Sequence, residues 1–189
     1  MAAQSTLKNM VLCLTVVCLV CSAILALVYA VTADPIKAAE QKALVESISQ
    51  VLPDGGSLSD VATAEFEGQK YDYYVSTTDG VPAAYAVKST TIGFGGPLTL
   101  MVGVLPDGSV YNTSVLSHTE TPGLGAKCST DAKFMSQWQG LGADKVIKVT
   151  KDGGDIDAIT ASTITSRAYA LAVSNAVAFV KSIVKAGEE

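Results

Sequence analysis

Between Lys8 and Asp34 the chain carries no charged residue, and residues 11–31 read VLCLTVVCLVCSAILALVYAV. A helix crossing the hydrocarbon core of a bilayer needs about 20 apolar residues, and this run supplies them. Thr15 and Ser22 are tolerated inside it because their hydroxyls can bond back to helix carbonyls. The competing reading is a cleaved secretory signal, with Lys8 as its basic start and Val31-Thr32-Ala33 as a small-residue cleavage site. A secretory apolar core is usually about 7–15 residues long, so length favours a retained anchor over residues 9–33. Lys8 and the terminal amine precede the span, which puts residues 1–8 in the cytoplasm and the rest outside it. Lys37 and Lys42, soon after the span, weaken that bias.

Once the span is set aside, 189 residues leave material for one core. Three of the four cysteines, Cys13, Cys18 and Cys21, lie within the apolar run; Cys128 is alone outside it, and there is a single histidine. That pattern excludes a disulfide scaffold or a zinc site. A net charge of −5 offers no footprint for nucleic acid.

Residues 35–52 have the pattern of a helix opening on Pro35, with Leu44, Ile48, Val51 and Leu52 at helical spacing. Pro53-Asp54-Gly55-Gly56 ends it, so residues 34–58 form a juxtamembrane helix and linker ahead of a domain spanning 59–189. Period-two alternation then predicts a hairpin through Thr78-Asp79-Gly80 into residues 84–91. A second hairpin pairs 98–105 with 110–116 through Pro106-Asp107-Gly108. Residues 131–139 predict a short helix with Phe134 and Trp138 on one face, and 145–150 a strand closed by Asp152-Gly153-Gly154-Asp155. From Thr165 to about Lys185 runs an amphipathic helix with Ala168, Leu171, Ala172, Ala176, Phe179, Val180 and Ile183 on its core face. The fold class is α+β: an N-terminal transmembrane helix, then an antiparallel-sheet domain with a C-terminal helix.

Two segments carry chemistry. The first is Asp157-Ala158-Ile159-Thr160-Ala161-Ser162-Thr163, ahead of Ile164, Thr165 and Ser166 at the start of the last helix. Up to four backbone N–H groups lack partners there and the helix dipole favours an anion. Ordinary N-capping accounts for the same hydroxyls. The second is His118-Thr119-Glu120-Thr121-Pro122-Gly123-Leu124-Gly125, a tight loop with exposed backbone that a flat ligand can approach. His118 and Glu120 could hydrogen-bond to such a ligand, and a polar surface turn is the plainer reading. No nucleophile motif accompanies the histidine, so no catalytic residue and no metal ligand is assigned.

Taken together, DAITAST and HTETPGLG resemble the covalent FMN-binding domains of the G subunit of the Rnf electron transport complex and the C subunit of the sodium-translocating NADH:quinone reductase. The stretch Ile92-Gly93-Phe94-Gly95-Gly96-Pro97, read as the start of a glycine-bearing strand to Gly103, is similar too, as is the single anchor. The resemblance covers nearly the whole chain. It implies FMN joined through its phosphate to the Thr163 hydroxyl by a separate flavin transferase that uses FAD. Asp157, Thr160, Ala161 and Ser162 form the rest of the recognised signature, and Thr165 is the second-choice acceptor. The ring would lie near His118, Glu120, Thr121, Gly123, Leu124 and Gly125. Where the family has Gly-Ala before the acceptor, this chain has Ala161-Ser162, so the loop is expected to be one that tolerates a Cβ at 161.

The implied function is electron relay in the cytoplasmic membrane, the flavin domain on its outer face, beside the membrane and iron–sulfur subunits of an ion-translocating ferredoxin:NAD oxidoreductase. The protein would perform no substrate chemistry of its own. The short chain favours the G subunit over the C subunit. A flavinylated domain of another extracytoplasmic electron-transfer chain, and a membrane-tethered binding module whose Thr-rich turn is only a helix cap, are the alternatives.

Overall fold

Period-two alternation and glycine-bearing turns close the middle of the chain into an antiparallel sheet, seen here in a computed structural model that describes residues 6–187. Two compact units are present, Met1–Ala43 and Leu44–Glu189. The elements are α1 (Leu7–Val51), β1 (Ser57–Leu58), β2 (Ala62–Phe66), β3 (Gln69–Thr78), β4 (Val81–Ile92), β5 (Pro97–Val104), β6 (Val110–His118), α2 (Ala132–Ser136) and α3 (Thr163–Gly187), with 3-10 turns at Gly125–Ser129 and Thr150–Asp152.

From Leu7 onward the first unit is helix, long and apolar enough to cross a membrane and exposed over the hydrophobic run. Pro35 does not open a second helix; it lies inside α1. The proline forfeits one hydrogen bond, to the carbonyl of Val31, at a cost of about 3 kcal/mol. The Ala-, Lys- and Glu-rich residues after it have high helix propensity and continue the helix.

In the second unit the strand order is β1-β3-β4-β5-β6, with β2 also paired to β3. The β3–β4 turn is Asp79-Gly80, both at positive φ, the twist-matched hairpin form. A hairpin not anticipated from the sequence joins β2 to β3 through Glu67-Gly68. The sheet buries both faces because alternate residues point opposite ways. Tyr85, Val87, Leu100, Val102 and Val104 pack under α3, whereas Ala84, Ala86 and Met101 meet Ile48, Val51 and Leu52.

α3 contributes Ala168, Tyr169, Ala172, Val173, Ala176, Phe179 and Val180 to the main core. Phe179 stacks on Tyr71 at 4.8 Å, and Trp138 on Tyr169 at 4.9 Å. Leu171, expected on that face, is instead 54% exposed, because the sheet covers only the side of the helix carrying Ala168 and Ala172. Apolar length alone would also let α3 cross a membrane, but half of it is buried in this fold.

Residues 145–150 do not form the expected strand. Val146 N–H donates to the Asp155 carboxylate at 2.8 Å, and the Asp155 N–H returns to the Val146 carbonyl. The Gly153-Gly154 turn folds the segment onto itself, leaving one isolated bridge, Val149 with Ile156. Ile156 N–H to the Lys148 carbonyl, Gly154 N–H to the Val149 carbonyl and Thr150 N–H to the Ile156 carbonyl take up backbone groups that a strand partner would otherwise fill.

Candidate functional site

Three turns meet at the N-terminus of α3. In the first, Ser162 N–H bonds the Ile159 carbonyl at 3.0 Å, and Ser166 Oγ accepts from Ile159 N–H at 2.9 Å while donating to the Ser162 carbonyl at 3.0 Å. This reverses the chain directly into the helix. Ala161 takes φ +61 to make the turn, so the loop requires the left-handed conformation that a glycine adopts freely, contrary to expectation. Thr163 begins α3 half-buried, and Ser162 just before it is buried with its hydroxyl unpartnered.

The second turn, Gly93-Phe94-Gly95-Gly96, links β4 to β5 rather than continuing a strand, closed by Gly93 N–H to the Gly96 carbonyl at 2.8 Å. A Cβ on Gly95 would strike the Thr119 carbonyl. The third is the loop after β6, where Leu124 and Ala126 N–H both donate to the Thr121 carbonyl. His118 accepts from Glu120 N–H through Nδ1 and lies 3.3 Å from Ser129 Oγ through Nε2, so its ring braces the loop. The adjacent Cys128 thiol is pushed up to about 11 by burial, then by the charge of Glu120.

Between these turns lies a cleft of about 360 Å³. Ala161, Ser162, Thr163 and Thr165 form one wall, and Glu120, Thr121 and Gly125 the other; Phe94, Leu124 and Ile164 present apolar surface. Phe94 is 69% exposed and Ile164 51%. At the start of α3 the N–H groups of Thr163, Ile164 and Thr165 precede any intrahelical acceptor. A polar wall at the positive end of a helix, faced by apolar side chains, suits a flat ligand bearing a phosphate.

Eight residues expected at the site thus line one cleft. Asp157 and Thr160 do not: they border a separate groove of about 90 Å³ beside Gln137, whose amide pairs with the Asp157 backbone. His118 and Gly123 lie outside the cleft lining. Phe94 and Ile164 were not anticipated. The signal for Phe94 was a large apolar residue between glycines that leave its side chain uncovered.

Residues 93–178 match the model of the FMN-binding domain, and residues 1–51 that of the RnfG N-terminal region. The G subunit of the ion-translocating oxidoreductase complex of Vibrio cholerae is 35% identical, covering 89% of this chain and 88% of that one. The chain belongs to the family of G subunits of ion-translocating oxidoreductase complexes. Within that family, the G subunit of the proton-translocating ferredoxin:NAD(+) oxidoreductase complex of Clostridium ljungdahlii is 36% identical over 87% of this chain and 86% of its own. The C subunit of the Na(+)-translocating NADH-quinone reductase from Parabacteroides distasonis, a solved structure, is 28% identical over 59% of this chain and 62% of that one, with a TM-score of 0.45. For a G subunit with an FMN-binding domain, the unpartnered Ser162 hydroxyl and the apolar Phe94, Leu124 and Ile164 fit the group.

Proposed function

We propose that this chain carries FMN covalently on Thr163 and relays electrons among the subunits of an ion-translocating ferredoxin:NAD oxidoreductase, anchored by α1 with its flavin domain on the outer face of the cytoplasmic membrane. The observation that carries the reading is the setting of Thr163. Of the hydroxyls at the start of α3, those of Ser162 and Thr165 are buried, while Thr163 is half-buried on the cleft wall. Of these residues, Thr163 alone combines partial exposure with a place at the positive end of the helix.

A flavin transferase would move the FMN moiety of FAD to the Thr163 oxygen, the hydroxyl proton being lost and AMP released. Bound there, FMN supplies reversible electron acceptance and donation; the chain contributes binding, orientation and electrostatics. Thr163 and the first-turn N–H groups would hold the phosphate, and Phe94, Leu124 and Ile164 would cover the ring and exclude water. Asp157 and Thr160, in their separate groove, would act in recognition by the transferase. The partners are the membrane and iron–sulfur subunits of the complex, and no substrate chemistry is assigned to this chain.

Intact-mass spectrometry of the full chain, co-expressed with a flavin transferase, tests the proposal. The expected mass exceeds the polypeptide by one FMN less water, and Thr163→Ala abolishes the increment. A bare wild-type mass, without yellow colour, rejects covalent flavin; a Thr163→Ala variant that keeps its flavin rejects the attachment point.

A further inference from the structure

Glu120 is 5% exposed, yet it forms part of the cleft wall. Its Oε1 accepts from the Phe94 N–H at 2.8 Å, and its Oε2 from the Thr165 hydroxyl at 2.9 Å. Both oxygens thus act as acceptors. The two donors belong to different turns, one to the glycine turn between β4 and β5, the other to α3. The backbone on either side is cut to fit: a Cβ on Gly93 would meet Oε1 and one on Gly125 would meet Oε2. Gly95 and Gly96 likewise leave room for Thr119, whose hydroxyl donates to the Gly95 carbonyl at 3.0 Å. Four glycines therefore yield space to a two-residue segment centred on one buried charge.

We propose that Glu120 is a positioning residue that clasps the glycine turn carrying Phe94 to the start of α3 and holds a fixed negative charge in the wall of the cleft. Resting on the reading that this cleft holds FMN, the role is to orient the apolar cover and to tune the flavin. With both oxygens committed to Phe94 and Thr165, Glu120 acts through them and through its field. A negative charge in a water-poor wall opposes electrons arriving on the ring, so it lowers the midpoint potential. The same bond commits the Thr165 hydroxyl, leaving Thr163 as the free acceptor.

The experiment compares full-length wild type, Glu120→Gln and Glu120→Ala, each co-expressed with a flavin transferase and purified in detergent. Glutamine keeps the shape, because its carbonyl still accepts from Phe94 and its amide can donate to Thr165 Oγ1. It is expected to load flavin like wild type but to titrate at a more positive midpoint potential. Alanine releases the clasp, so the flavin load falls and the Phe94 amide loses its protection from hydrogen exchange, a readout that does not need the flavin. Equal potentials in wild type and Glu120→Gln overturn the tuning role. Unchanged protection and full loading in Glu120→Ala overturn the clasp. A wild-type chain that carries no flavin at all rejects the underlying reading instead, while the exchange measurement still decides the clasp.

Discussion

A side chain on Gly103 would fall on the carbonyl oxygen of Val51, so the last turn of α1 sits directly on bare sheet backbone. The neighbouring Gln50 is held by the same strands: Asn112 donates to its carbonyl at 2.9 Å, and Ser114 to its side chain at 3.2 Å. One otherwise orphaned helix carbonyl is thereby satisfied. Gly103→Ala should lower the stability of the domain by about 1–3 kcal/mol, the usual cost of overpacking. Thermal melts of the full chain in detergent, followed by circular dichroism, would show the drop; an unchanged midpoint would mean that α1 is not seated there.

Ala161 offers the opposite change. At φ +61 its Cβ strains the turn, and glycine removes that strain at the expense of a more flexible unfolded chain. Ala161→Gly should therefore stabilise the protein by about 1 kcal/mol, raise the melting midpoint and leave the mass of the loaded protein shifted only by the substitution. A lower midpoint would show that the left-handed turn is not populated.

Cys128 gives a dependence on pH. Its thiol ionises near 9.0 when unfolded and at about 11 in the fold, chiefly because it is buried. The folded state thus retains a proton that the unfolded state releases, and the associated stability is complete below pH 9 and lost as pH rises towards 11. Tyr169, raised by burial, acts in the same direction. Melting midpoints should fall over that window, and Cys128→Ala should flatten part of the slope. Iodoacetamide at pH 8 should leave Cys128 unlabelled until the domain is denatured; rapid labelling of the native protein would contradict its burial.

On α3, Leu171 and Val173 separate surface from core. Leu171→Gln should change stability by less than about 0.5 kcal/mol, since that side chain is 54% exposed. Val173, fully buried, should cost about 1–3 kcal/mol or more when replaced by Thr, which puts an uncompensated hydroxyl into the core. Denaturant titrations of both variants would rank them; equal costs would place Leu171 back in the core.

Asp79-Gly80 and Pro106-Asp107-Gly108 announced their hairpins because their residues suit positive φ or tight turns. Glu67-Gly68 did not, since glutamate seldom adopts the φ of +50 that it takes here. Val146, Ile147 and Val149 imitated a strand, and only the return of Asp155 onto Val146 reveals a self-contained loop. At the site, local spacing brought out both motifs but not their division. The left-handed step at Ala161 turns the chain between Thr160 and Thr163, so one continuous signature faces two grooves. The burial of Glu120 was equally hidden, because it depends on room left by Gly93 in a distant turn as well as by the nearby Gly125.

Trp138 is the only tryptophan in the chain, sealed from solvent against Tyr169 of the helix that Thr163 begins. Its fluorescence therefore reports on the folded domain alone, with no background from the lipid-embedded segment. Flavins absorb where tryptophan emits, so a ring seated at the head of that helix would drain its excited state. Maturation could then be followed in real time, in membranes and without labels, as a dimming of one residue's light.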